Sequence, residues 1–471
     1  MTPFWVAGRP CDGPTAVEVR GPWDGGLAGV TSYASAAQVE GAVAAAWESR
    51  HLDVPAHVRA DALDHVSRSL TTRAEEVAAL VTAESGKPIT WAMAEVARAA
   101  ATFRWGAEEA RRFSGSMQRL DTDAASTGRV ALIRRVPRGP VLGITPFNFP
   151  VNLVAHKLAP AIAVGAPVII KPAPATPLSA LLLGSLLAET DLPGGLWSIL
   201  PVPNESAPAL AADVRLPLVS FTGSDSVGHA IRDANPAKHI VLELGGNAAV
   251  IVCPDWTDLD HAADRIARFG TYQAGQSCVS VQRVYAHRSV YALLRSLLAD
   301  RLAALPVGDP RSAATHVGPL IDTAAADRIT GWIDAAVAAG ATLVTGGGRD
   351  GTTVAPTLLT DVPPTCALVT EEAFGPVLVL TPYDTFDEAV TLVNASRYGL
   401  QAGVFTHDMR VVAASADLEV GGVVIGDVPT YRADQMPYGG VKDSGTGREG
   451  VAAAMDDLTE PRVTVLTGWR L

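Results

Sequence analysis

Between Val141 and Val252 short apolar runs alternate with helical stretches: PVIIK (167–171), LWSIL (196–200), LPLVSF (216–221), HIVLEL (239–244) and AAVIV (248–252). Strands that are apolar on both faces must be covered on both, so this alternation predicts a parallel sheet between two layers of helices. A second series follows, with QRVYAH (282–287), ATLVT (341–345), PVLVL (376–380), AGVFT (402–406) and GVVIG (422–426). Ahead of both, residues 36–113 place apolar side chains at helical spacing, interrupted at Gly86-Lys87-Pro88. RVALIRRVP (129–137) alternates like a strand but is charged and two-sided, which predicts an edge or a projecting hairpin. The expectation is an α/β chain with two doubly wound parallel-sheet domains and a small β appendage.

Composition narrows the function classes. The chain has 471 residues, 48% hydrophobic and 18% charged, enough to build a large core and to exclude global disorder. A net charge of −12 without any Lys/Arg block argues against nucleic acid or an anionic membrane as the main partner. No apolar run approaches the roughly 20 residues of a spanning helix; the stretch from 172 to 188 is broken by Pro174 and Pro177. The opening residues lack a basic-then-apolar leader, and Cys11, Cys253, Cys278 and Cys366 are scattered without a C-x-x-C. A reducing cytoplasm is the expected setting.

Several tempting motifs fail. GTGREG (445–450) matches G-x-G-x-x-G but not the strand–helix context with a downstream acid that dinucleotide binding needs, so a glycine-rich surface loop is expected. Gly223 to Gly228 has P-loop glycine spacing, but His229-Ala230 stand where Lys-Ser/Thr are required. No serine sits in a nucleophile elbow, and no His/Cys spacing suggests a metal.

Six segments resist a packing explanation: PFNFP (146–150), IIKPAP (169–174), FTGS (221–224), LELGG (242–246), GQSCVS (275–280) and EEAFGPV (371–377). Cys278 lies among small polar residues behind a glycine, whereas Cys253 lies in an apolar run and reads as core. A thiolate attacks carbonyl carbon when its pKa is lowered or a base is near. Glu243 closes an apolar strand, a costly place for a carboxylate without a partner or a task.

In order and spacing these segments resemble the aldehyde dehydrogenase superfamily, from about residue 30 onward, with texture nearest the lactaldehyde and phosphonoacetaldehyde dehydrogenase branch. The resemblance implies that Cys278 is the nucleophile and that Asn148 supplies the oxyanion amide together with the cysteine's own N–H. It implies that Glu243 activates the water that hydrolyses the thioester, giving a free acid. CoA-acylating relatives generally lack this glutamate. It implies NAD or NADP as cofactor. Gly223 and Ser224 would meet the pyrophosphate at a helix start, Lys171 the adenosine ribose and Glu372 the nicotinamide ribose. Phe374, Thr145 and Phe147 would complete the site, Phe147 replacing the family's usual Trp. Pro174 stands where many NAD-preferring relatives carry Glu, which admits NADP.

For substrate, the resemblance implies a small polar or anionic aldehyde. Tyr272 and the loop 427–440 would line the pocket, with Arg104, His156, Arg432 and Arg448 as candidate anion ligands; for Arg448, as for Arg283, a structural role is the competing expectation. A broad enzyme of the succinate-semialdehyde type and an idle scaffold on the same fold are the alternatives. The implied domains are 1–117 with 138–245 for cofactor and 246–440 for catalysis. Segments 118–137 and 441–471 would bridge subunits of a homodimer or homotetramer.

Overall fold

A computed structural model describes residues 1–468. Its largest sheet has eight strands in the order Arg9–Cys11, Phe4–Val6, Trp197–Ile199, Val168–Lys171, Val141–Ile144, Leu218–Thr222, His239–Glu243, Gly445–Thr446. The five from Trp197–Ile199 to His239–Glu243 run parallel, and antiparallel strands close both edges. The second sheet has seven strands, Thr342–Thr345, Thr357–Thr360, Val377–Tyr383, Arg283–His287, Ala249–Val252, Gln401–Phe405 and Gly422–Ile425, parallel except for the first. Both predicted α/β layers are therefore present. Four helices, Ala36–Glu48, Ala56–Thr72, Ala74–Ser85 and Ile89–Arg112, occupy the region of helical spacing.

Two expectations sharpen. Of the edge and hairpin readings of RVALIRRVP, the hairpin holds: it pairs antiparallel with Ser116–Arg119 and, as the middle strand of a three-stranded sheet, with Thr459–Thr467 on the other side. Its two-sided polarity reflects a ribbon with both faces substantially exposed. GTGREG is more than a surface loop: Gly445–Thr446 pairs with Leu242 and Glu243, and Glu449 is buried. At Gly445 φ is +152°, and a Cβ there would lie 2.1 Å from the Leu242 carbonyl.

Register sets the stage for a site. Ile144 pairs with Lys171, and Thr222 with Glu243. Lys171, Ile144, Thr222 and Glu243 thus finish four neighbouring parallel strands along one rim, the carboxyl edge where open α/β sheets bind ligands. Among the described residues, no helix is long and apolar enough to cross a membrane.

Candidate active site

A cleft of about 1010 Å³ runs from that rim toward the second sheet. Lys171, Pro174, Gly223, Ser224, Thr145, Phe147, Glu372, Phe374, Asn148, Glu243, Cys278, Tyr272 and Arg432 all line it. The sequence spreads them over nearly 290 positions; the parallel topology gathers them.

Cys278 follows a short turn, Tyr272–Gly275, in which Gln273 (φ 41°) and Ala274 (φ 58°) adopt left-handed backbone. Such residues store strain of about 1–3 kcal/mol each and persist only where surroundings impose them. Here Gln276 fixes the loop: its side-chain amide donates to the Gln273 and Pro319 carbonyls and its Oε1 accepts from Ile321 N–H. A Cβ on Gly246 would lie 2.1 Å from the Cys278 carbonyl, and one on Gly245 would lie 2.8 Å from the Glu372 carboxylate. The two glycines of LELGG therefore thread the chain between Cys278 and the Glu372 carboxylate. Burial pushes the Cys278 thiol up to about 12, opposed by the Tyr438 hydroxyl 3.1 Å from its sulfur.

Asn148 Nδ2 donates to the Gln276 carbonyl at 2.9 Å, so the amide abuts the cysteine loop. The segment carrying Asn148 is fastened from behind. Glu95 accepts from the N–H groups of Val151 (2.9 Å) and Asn152 (3.1 Å), capping the helix Asn152–Val164. Its other oxygen takes the buried Lys87 ammonium, which lies 4.1 Å above the Phe149 ring.

Glu243 is 3% exposed, and neither carboxylate oxygen has a hydrogen-bond partner. Burial, reinforced by the negative charge of Glu449, pushes its carboxyl well above the ordinary range. Burial acts on Glu449 in the same sense, but Lys157 and Arg432 hold that carboxyl down at about 2. Lys157 Nζ donates to Ser220 Oγ (3.0 Å), Thr222 Oγ1 (2.8 Å) and Glu449 Oε1 (3.4 Å). Arg432 donates to Glu449 Oε2 at 3.0 Å, while its buried Nε–H faces no acceptor. The arrangement sorts two carboxyls into one permanent anion and one group free to exchange a proton.

At the opposite end Ser224 precedes the helix Asp225–Ala234. The first-turn acid, Asp225, is turned aside onto Arg397 at 2.6 Å. Lys171 donates to Asn204 Oδ1 at 2.7 Å, and burial lowers its ammonium to about 8. Burial raises Glu372 to about 7, opposed by the Gly246 N–H at 2.9 Å. Around Pro174 the wall is Ala173, Ala175, Ala207 and Pro208, with no carboxylate among the lining residues there.

Three anticipated anion ligands lie outside the cleft. Arg104 points to solvent from the helix Ile89–Arg112, pairing with Glu108 and covering Trp105. His156 is sealed behind the wall, with Nε2 3.0 Å from Asp434 and 3.2 Å from Arg432. Arg448 donates to the carbonyls of Gly440 and Gly447 and so ties a loop. The arginine that does reach the cleft from the long helix is Arg98, held by Asp434 at 2.8 Å. It shares a stripe with Glu95 and Thr102, polar residues three and four apart on a helix whose neighbours are buried; that stripe was the available signal. Tyr438 and Glu449 also line the cleft.

Comparison with known proteins agrees with this geometry. Residues 6–464 match the model of the aldehyde dehydrogenase family. The 3-sulfolactaldehyde dehydrogenase of Priestia aryabhattai is 40% identical over 437 residues, 92% of this chain and 91% of that protein. Aldehyde dehydrogenase 21 from Physcomitrella patens, in complex with the reaction product succinate, superposes with a TM-score of 0.97 at 42% identity, covering 99% of this chain and 98% of that one. The NADP-dependent glyceraldehyde-3-phosphate dehydrogenase from Bacillus halodurans, complexed with NADP, gives a TM-score of 0.95 at 34% identity over 99% of both chains.

Proposed function

The chain belongs to the aldehyde dehydrogenase family, as an NAD(P)-dependent oxidoreductase, and on that premise we propose that it oxidises a short aldehyde ending in an anionic group to the carboxylic acid. The observation that carries the substrate reading is the pair Arg98 and Arg432 on the cleft that also holds Cys278, with one Arg432 N–H left without an acceptor. An unpaired buried donor is costly unless a ligand supplies the acceptor. Guanidinium suits carboxylate, sulfonate or phosphonate oxygens. The relatives named for 3-sulfolactaldehyde and crystallised with succinate are consistent with this substrate class.

The cofactor end fits a nicotinamide dinucleotide in donor type: Gly223 and Ser224, at a helix start whose N-cap side chain makes no capping bond, for the pyrophosphate, Lys171 for one ribose and Glu372 for the other. When bound, the cofactor accepts hydride from the substrate carbon. Cys278 attacks the aldehyde; Asn148 and the cysteine N–H receive the oxyanion; a thioester on Cys278 remains. Glu243, unpaired and in its base form, removes a proton from water, which hydrolyses that ester and frees the acid. Glu449, held ionised by Lys157 and Arg432, keeps Glu243 easy to protonate again.

The free cysteines support a reducing, cytoplasmic setting. The ribbon Ser116–Arg119, Arg129–Pro137 and Thr459–Thr467, with Met117, Leu132, Val463 and Val465 exposed, supports a homodimer or homotetramer joined there. The domain division stated above remains our assignment.

Steady-state kinetics on three- and four-carbon aldehydes test the substrate reading. A terminal carboxylate or sulfonate is expected to raise kcat/KM about 100-fold over a neutral aldehyde of equal length, the effect of a charge-assisted contact or two. Equal values across the panel would overturn it.

A further inference from the structure

Tyr438 stands apart from the parts assigned so far, because its hydroxyl touches the sulfur itself. The side chain is 4% exposed and lies with Cys278, Val279 and Leu400 in one small cluster. Its position is set by backbone: Tyr438 N–H donates to the Glu449 carbonyl at 2.9 Å, and Glu449 N–H donates back at 2.7 Å. The Arg432 guanidinium lies 3.9 Å above the ring centre, and Arg432 is itself anchored on Glu449. One residue, Glu449, thus fixes both the ring and the cation over it.

We infer that the Tyr438 hydroxyl is a catalytic hydrogen-bond donor that stabilises the Cys278 thiolate, with Arg432 sharpening it through the ring. A phenol O–H is a far better donor than a thiol, and a thiolate a far better acceptor than a thiol. A cation over the face of a phenol draws density from the ring and favours a more polarised O–H. No proton passes between phenol and sulfur: the thiol's own proton leaves to water in the cleft, the bond favours the ionised sulfur that remains, and it is relinquished as carbon–sulfur bonding begins. Desolvation is the dominant influence on Cys278 and favours the neutral thiol, and the Tyr438 contact is the largest influence opposing it. The same arginine is the proposed seat of the substrate's anion, so neutralising its charge loosens the phenol's hold on sulfur as the aldehyde arrives. The inference rests on Cys278 being the nucleophile.

The test is the pH dependence of Cys278 alkylation by iodoacetamide in the free enzyme, followed by mass spectrometry of the Cys278 peptide. In Tyr438→Phe the alkylation midpoint is expected to rise by about one to two units, the value of one hydrogen bond to a charged acceptor. At pH 7 the rate should fall at least tenfold, with KM for the aldehyde little changed. Tyr438→Met serves as the second variant should Phe alter the melting temperature, and is expected to shift the midpoint the same way. An unchanged midpoint in a folded variant overturns the role of Tyr438 and leaves the nucleophile untouched. Full dehydrogenase activity in Cys278→Ala would instead overturn the nucleophile assignment beneath it.

Discussion

The outer end of the cleft is walled by Pro174, Ala207, Ala211, Ala230 and Ala234, with Lys171, Asn204, Ser224, Ser226 and Asn235 as its polar groups; around its inner end cluster Glu243, Glu449, Arg432, Lys157, Asp434 and Arg98. The outer end offers shape, a helix start and few charges, as suits a ligand common to many enzymes. At the inner end several ions are withdrawn from water, and nearly every one is matched: Lys157 and Arg432 with Glu449, and Arg98 with Asp434, which also holds the His156 ring, its pKa lowered by burial. Burying an ion costs several kcal/mol unless partners repay it. Among these ionisable groups, the Glu243 carboxyl and the Arg432 Nε–H are left short. On the proposed function, these are the positions where a substrate anion and a water would have something to do.

If that contrast is right, the largest effects belong to the inner end. Cys278→Ala is expected to lower kcat by at least about 10⁴-fold, read by cofactor absorbance. Glu243→Gln should leave a first-turnover burst of reduced cofactor followed by slow release of acid, with a covalent acyl adduct visible by intact-mass measurement; an absent burst would move Glu243 to an earlier step. Arg432→Met should reduce kcat/KM about 100-fold for an anionic aldehyde and far less for a neutral one, and Arg98→Met about tenfold, since Arg98 is 31% exposed and already paired.

The pH profile sharpens the same contrast. If Glu243 is the base, it serves only when deprotonated, and burial with Glu449 raises its carboxyl, so the acid limb of kcat should lie well above the ordinary carboxylate range. Glu449→Gln removes a neighbouring negative charge and should move that limb down by about one unit. A limb that stays put would show that burial alone sets it. The smallest effects belong to the outer end. The unmodified enzyme should turn over NADP measurably, and Pro174→Glu should reduce NADP use relative to NAD about tenfold by repulsion of the 2′-phosphate. NAD favoured several hundredfold in the unmodified enzyme would refute the openness of that wall.

How far the sequence could be read follows the same division. The α/β layers were legible because buried parallel strands such as PVIIK and AAVIV are apolar throughout and sit between helical stretches. Thr357–Thr360 was not, although it lies inside the second sheet: four residues after a proline offer no period to detect. Residues at glycine turns and strand ends, Gly223, Glu243 and Cys278, announced themselves by being badly placed for packing. Arg104, the arginine the sequence reading named, lies six positions beyond Arg98, and six positions along a helix turn a side chain to another face. His156 is adjacent to Lys157 in sequence, yet only Lys157 meets the ionised Glu449; which charge pairs with which depends on a loop nearly 280 residues away.

Lys87 never meets the cleft, yet through Glu95 it tethers the turn that presents Asn148. A replacement there would enter an assay disguised as a chemical defect: cofactor retained, aldehyde retained, turnover poor. Variant surveys that grade positions by activity alone would file residue 87 among the reactive groups, when its trade is carpentry.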